Sequence, residues 1–233
     1  MSKYTQAYSN FIKRISEISA VRRLATKHSR LPTITRSAYL GNALCRAAVV
    51  LLSGHIEGYI ENLAEIGLER IFSKKMIKSK LANSFLYHCS KDIITEIKNA
   101  SNPNVISTKV KLLIDRDSDI WSNAPIFNST LPSELFIHGF GNPTFDEIKK
   151  FFRRFGYLEL SHDLSNLLRG NYFVCVNMIN HVVDQRNKIA HGDFTIVNTP
   201  RDIENMIQLV ILFCRCTDIA VSNWFKLKGC LIR

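Results

Sequence analysis

This chain is short of the features that mark the commonest chemistries. Its six cysteines (Cys45, Cys89, Cys175, Cys214, Cys216, Cys230) form no C-x-x-C pair, which speaks against a zinc site or a redox dithiol. H-E-x-x-H, a Gly-rich loop ending in Lys-Ser/Thr and G-x-S-x-G are all missing, so metalloprotease, P-loop and serine-hydrolase readings have no support. His55-Ile56-Glu57 supplies the H-x-E of zinc deaminases without the P-C-x-x-C that must follow. Asp115, Asp117 and Asp119 alternate but lack the Gly and terminal Glu of a calcium loop, and are expected to be polar loop residues. No metal and no cofactor are therefore expected. No apolar run approaches the ~20 residues of a membrane helix, and Ala47 to Leu52 reads as a short buried patch. The N-terminus has no apolar signal core, so a cytoplasmic protein with reduced, buried thiols is expected.

Acidic residues are scarce as well: 20 Asp and Glu stand against 31 Lys and Arg, for a net charge of +11. The pI is about 9.5 and the mean hydropathy −0.02. The imbalance is steepest in residues 1–50, where Lys3, Lys13, Arg14, Arg22, Arg23, Lys27, Arg30, Arg36 and Arg46 face the single acid Glu17. A polyanion such as RNA is the natural partner of that segment, with Arg22, Arg23, Lys27 and Arg30 as candidate phosphate contacts. A merely solvated basic face would have the same composition.

What is present is helical period. Phe11, Ile15, Ile18 and Val21 mark a first helix over 3–27, ended by Leu31-Pro32-Thr33. A long helix over 36–73 carries Leu44, Ala48, Leu51, Ile56, Tyr59, Leu63 and Ile66, with Gly54 and Gly58 spaced to allow close helix contact. A third helix is expected over 76–98 and a short one over 107–116. An irregular connection rich in Pro, Gly, Ser and Asn follows over 117–142, suited to substrate or partner contact. Thr144 to Glu147 has the pattern of a capping box for a helix to about 155, and further helices span about 171–191 and 200–226. Thr199 and Pro200 open the last of these as N-cap and first residue. The fold class is an all-α helical bundle, one domain over 1–233 with a loop insertion at 99–142.

The most informative stretch is Arg186-Asn187-Lys188-Ile189-Ala190-His191-Gly192. Upstream, Tyr172, Val176, Ile179 and Val183 recur at helical spacing, and Gly192 suits a left-handed helix cap. An Arg presents a fork of donors that fits phosphate oxygens, and His exchanges protons near neutral pH. Together they suffice to cleave RNA through its own 2′-hydroxyl. The same two residues also suit a helix end with no chemistry, where a His offsets the C-terminal dipole.

The segment resembles the signature of the HEPN superfamily: an Arg, four to six residues, then a His, often with Asn directly after the Arg. Here Asn187 is in place and four residues separate Arg186 from His191. The helix through Leu51-Leu52-Ser53-Gly54-His55-Ile56-Glu57-Gly58-Tyr59 makes the RiboL-PSP type, found in bacterial conflict systems, the most similar. The resemblance implies an endoribonuclease acting as a toxin or phage-defence effector, restrained by an antitoxin or sensor protein. It also implies a homodimer whose two motif helices share one groove. His191 would act as acid or base, Arg186 would stabilise phosphoryl charge and Asn187 would position the phosphate or the ring. Glu57 would orient Arg186 or His191, and Lys188 would contact the backbone. A non-catalytic RNA-binding or dimerisation module is the alternative.

Overall fold

The computed structural model describes residues 3–29, 36–193 and 195–233, the side chains of Arg36 and Ser37 excepted. Leu31-Pro32-Thr33 and Arg30 fall outside these residues. The described residues form α1 (Gln6–Ser29), α2 (Arg36–Ser73), α3 (Asn83–Cys89), α4 (Lys91–Asn99) and α5 (Pro103–Trp121). They continue with α6 (Ser133–Ile137), α7 (Phe145–Arg153), α8 (Leu160–Leu168), α9 (Tyr172–Ala190) and α10 (Pro200–Leu227). No strand occurs among the described residues, and the fold is all-α as expected.

Four long helices drawn from the two ends of the chain, α1, α2, α9 and α10, make the bundle. α1 lies along α2 and against α10, and α9 packs on both α2 and α10. Phe11, Ile15 and Ile18 meet Ile56, Tyr59, Leu63, Ile179, Val210 and Phe213 in one hydrophobic core. Tyr59 keeps its hydroxyl satisfied there by donating to the Cys214 carbonyl at 2.9 Å. Thr5 caps α1 by accepting from the Tyr8 amide, and it docks that end on α10 by donating its hydroxyl and its amide to buried Asp218. All six cysteines are free and buried.

The middle of the chain forms a cap rich in phenylalanine. Phe85, Phe136 and Phe155 pack tilted against one another at centroid distances of 4.6 to 5.8 Å, and Phe155 meets Phe225 of α10 at 5.6 Å. Each such pair adds about 0.5–1.5 kcal/mol beyond its area.

Several local expectations need correction. The single helix expected over 76–98 is a 3-10 turn at Lys78–Lys80 followed by α3 and α4, which break at Ser90. The short helix expected over 107–116 is the longer α5, which starts at Pro103 because the Asn102 side chain caps the Asn104 amide. α5 takes in 117–121 with a kink at Asp117, so the three alternating aspartates are not loop residues. Asp117 is buried against Arg116, and Asp119 gathers the amides and side chains of Asn128 and Ser129. The connection beyond is anchored by buried Phe127 and Phe136 and carries α6. The capping box expected at the start of α7 is half made: Thr144 accepts from the Glu147 amide, while Glu147 pairs with Lys150. α8 has no counterpart among the expected helices.

Two expectations for α2 also change. Leu51 is 37% exposed and Leu52 is buried in its place, so the apolar patch from Ala47 to Leu52 is only half covered. A Cβ on Gly54 would meet nothing within 4 Å, and one on Gly58 would meet only the Arg14 guanidinium at 3.0 Å. The close approaches fall instead at Gly41, against Ser29 and Ala25 of α1, and at Gly67, beneath the Phe225 ring. By length and composition, Ala38–Ser73 and Pro200–Leu227 are apolar enough to cross a membrane, contrary to the expectation that no segment approaches that size. Both are core helices of the bundle, α10 being buried around most of its circumference.

Candidate functional site

α9 runs in the bundle because Cys175, Ile179, Val182 and Val183 form its buried side. It stops where the sequence places Gly192, at φ +82°. The Gly192 amide donates to the Ile189 carbonyl and the Asp193 amide to the Lys188 carbonyl, at 3.1 and 3.0 Å. This pair of bonds is a Schellman cap, so His191 occupies the last half-helical position on a fixed turn. Its side chain is exposed.

The segment after the motif is pinned back on the helix that carries it. Buried Asn198 donates to the Gln185 side-chain carbonyl at 2.8 Å, and the Gln185 amide nitrogen lies 2.9 Å from His181 Nε2. α10 then opens with a complete capping box, Thr199 and Asp202 exchanging side chain for amide. Arg186 and His191 are thus both held on rigid backbone.

Arg186 is gripped from three elements. Nη1 donates to Asn187 Oδ1 at 2.9 Å and to Asn142 Oδ1 at 2.7 Å. Nη2 lies 3.6 Å from Glu57 Oε2, and both side chains are about a quarter exposed. Glu57 comes from α2, so the expected approach of that carboxylate to the motif is seen, directed at the Arg. Glu57 continues along α2 into Glu61 and Glu65 at four-residue steps. Burial, then the charges of Glu57 and Glu65, raise the Glu61 carboxyl. A carboxylate row, half-buried at Glu57 and Glu61 and exposed at Glu65, therefore ends on the Arg186 cation. Lys188 is turned outward and forms an exposed i,i+4 pair with Asp184 at 2.8 Å, which raises its ammonium pKa.

Arg186 and His191 are five residues apart, about 140° round the helix at ~100° per residue. One chain therefore presents them on different sides of α9, with Asn187 on the His191 side and in contact with Arg186. The basic residues of α1 are divided. Arg22 pairs with Glu204 of α10 at 3.1 Å, while Arg23 and Lys27 are exposed. Glu204 is six residues beyond Asn198, so this end of α1 sits at the motif end of the bundle. Among the described residues, no group of three or more His, Cys, Asp or Glu side chains is arranged to hold a metal ion.

Asn142, Gln185 and Asn198 are the site residues that sequence reasoning missed. Gly139, Gly141 and Pro143 mark a turn around Asn142, but no pattern in the sequence says which helix that turn will touch.

The fold and the site define an all-helical bundle with a restrained guanidinium and an exposed imidazole at one helix end. The family model described as RiboL-PSP-HEPN matches residues 9–223, and the chain belongs to that family. This family membership supports a role of the nuclease or RNA-binding type. No curated protein and no solved structure matches the chain.

Proposed function

We propose that this chain is a metal-independent endoribonuclease of the HEPN type. In the reaction the 2′-oxygen attacks the adjacent phosphorus, the P–O5′ bond breaks, and a 2′,3′-cyclic phosphate is left. One proton leaves the 2′-hydroxyl and one reaches the departing 5′-oxygen, and His191 is the group suited to either transfer. Arg186 offsets the charge that grows on the non-bridging oxygens, and Asn187 fixes the phosphate or the imidazole. The observation that carries this reading is the grip on Arg186. A guanidinium fixed by Glu57, Asn142 and Asn187 needs little reorganisation when a phosphate arrives.

Because Arg186 and His191 diverge on one helix, the proposed site is shared by two chains related by a twofold axis. Exposed Ala47, Val50, Leu51 and Gly54 on α2 lead along one side toward Glu57 and offer apolar surface for such a contact. Arg23 and Lys27, with Lys188 within the motif, are the proposed backbone contacts, and a cytoplasmic toxin or phage-defence role controlled by an antitoxin or sensor is the proposed setting. The neighbouring genes bear on the last point: a nucleotidyltransferase or small antitoxin alongside supports it.

A non-catalytic RNA-binding or dimerisation module remains the second reading, favoured by the fact that Arg186 already has three partners within the chain. Purified protein in excess EDTA is expected to cut RNA and leave cyclic phosphate ends. Activity that disappears with EDTA and returns with magnesium overturns the mechanism. Light scattering is expected to give a dimer, burying on the order of 2,000 Å² if obligate. A monomer that still cleaves overturns the shared site.

A further inference from the structure

Among the described residues, the middle of the chain is hydrogen-bonded to the motif at Asn142. Its φ is +49°, a left-handed conformation that side chains other than Asn, Asp and Gly seldom adopt. The strain is sustained by what lies on either side. Three residues later, the Phe145 amide donates to Asn180 Oδ1 of α9 at 2.9 Å, and the buried Phe145 ring stands edge-on to Phe213. Asn180 precedes Arg186 by six residues, about 9 Å along the helix at ~1.5 Å per residue. The run from Asn142 to Phe145 bridges that interval with a tight turn, the Thr144 amide donating to the Asn142 carbonyl at 2.6 Å. The segment is therefore laid along α9 and tied at both ends, by Asn180 at one and by Arg186 at the other.

We propose that Asn142 is a positioning residue for Arg186, a role that rests on the ribonuclease reading above. An Arg side chain has five N–H donors. Asn142 and Asn187 both take Nη1, and the Glu57 carboxylate draws Nη2 at a distance longer than a hydrogen bond. Both hydrogen bonds that hold the guanidinium thus use Nη1, which leaves N–H donors on Nη2 and Nε for a phosphate. Asn142 is the only one of the three grips that is neutral and comes from outside α2 and α9. It couples the cap helices to the motif without lowering the positive charge that RNA must meet.

Two variants separate the side chain from the turn. Asn142→Gly keeps the left-handed backbone and removes the acceptor. Asn142→Asp keeps both the turn and an acceptor oxygen. Loss of one hydrogen bond to a charged group predicts that Asn142→Gly lowers kcat roughly tenfold with Tm nearly unchanged. Asn142→Asp is expected to recover kcat but to raise KM, because its carboxylate repels the incoming phosphate. A second readout avoids turnover. In a His191→Ala background, Asn142→Gly should weaken RNA binding, and that effect should vanish once Arg186→Ala is added. If His191→Ala and Arg186→Ala leave cleavage untouched, the ribonuclease reading itself falls. If they abolish it while Asn142→Gly cleaves and binds like the parent, or weakens binding equally without Arg186, the positioning role alone is overturned.

Discussion

His191→Ala is expected to remove RNA cleavage by roughly 10²–10⁴-fold while leaving the fold and most RNA affinity in place, the usual loss for a single acid–base group. The side chain is exposed at a Schellman cap, and that cap is made by the Gly192 and Asp193 amides rather than by the imidazole. Truncating the ring therefore leaves the helix end intact. Arg186→Ala should inactivate to a similar degree and weaken binding as well, because it removes a permanent cation. It also strands Glu57, whose Oε2 is buried and makes no hydrogen bond, so a drop in Tm should accompany the kinetic loss. Single-turnover cleavage, a binding titration and a melt on each variant separate these effects. Unchanged cleavage in both variants places the chemistry elsewhere.

The largest stability effect is expected where the cap meets the bundle. The Phe225 ring is 1% exposed, and it touches Phe155 and Trp224 at centroid distances of 5.6 and 5.0 Å. Phe225→Ala should cost about 3–5 kcal/mol. At roughly 2–4 °C per kcal/mol for a chain of this size, Tm should fall by about 10 °C. The same ring lies over Gly67, where a Cβ would stand 2.6 Å from Cζ. With the ring fully buried against Phe155 and Trp224 it has little room to yield, so Gly67→Ala should destabilise by ~1–3 kcal/mol. Made in the Phe225→Ala background, Gly67→Ala should reverse sign and stabilise by up to about 1 kcal/mol, the ordinary gain of Ala over Gly in a helix. A melt of the four proteins decides it. The same sign in both backgrounds would mean that Gly67 is not a packing requirement.

What was legible in the sequence was local. The bounds of α2, α9 and α10 follow from apolar period and from end signals such as Thr199-Pro200 and Gly192, which act over a few residues, while α1, expected from residue 3, starts at Gln6 because Thr5 caps it. The middle of the chain was less legible for the same reason. Most of its helices are short and its apolar groups are spaced by the needs of a phenylalanine cluster drawn from α3, α6 and Phe155 just beyond α7. Period is weak there, and α8 and the full length of α5 were missed. Glu57 was picked out through the family resemblance, which left open whether it serves Arg186 or His191.

By itself the sequence determined an all-α chain, its four long helices, the Arg186–His191 motif and the helix cap that displays His191. Each of these depends on residues near one another along the chain, through hydrogen bonds and side-chain spacing within a turn or two. Only the tertiary structure decided that Glu57 faces Arg186 rather than His191, that Gly67 and not Gly54 admits a neighbour, and that Asn142 reaches across 44 residues to the guanidinium. Those pairings depend on which faces meet when helices pack, and packing is set by burying the whole apolar surface at once.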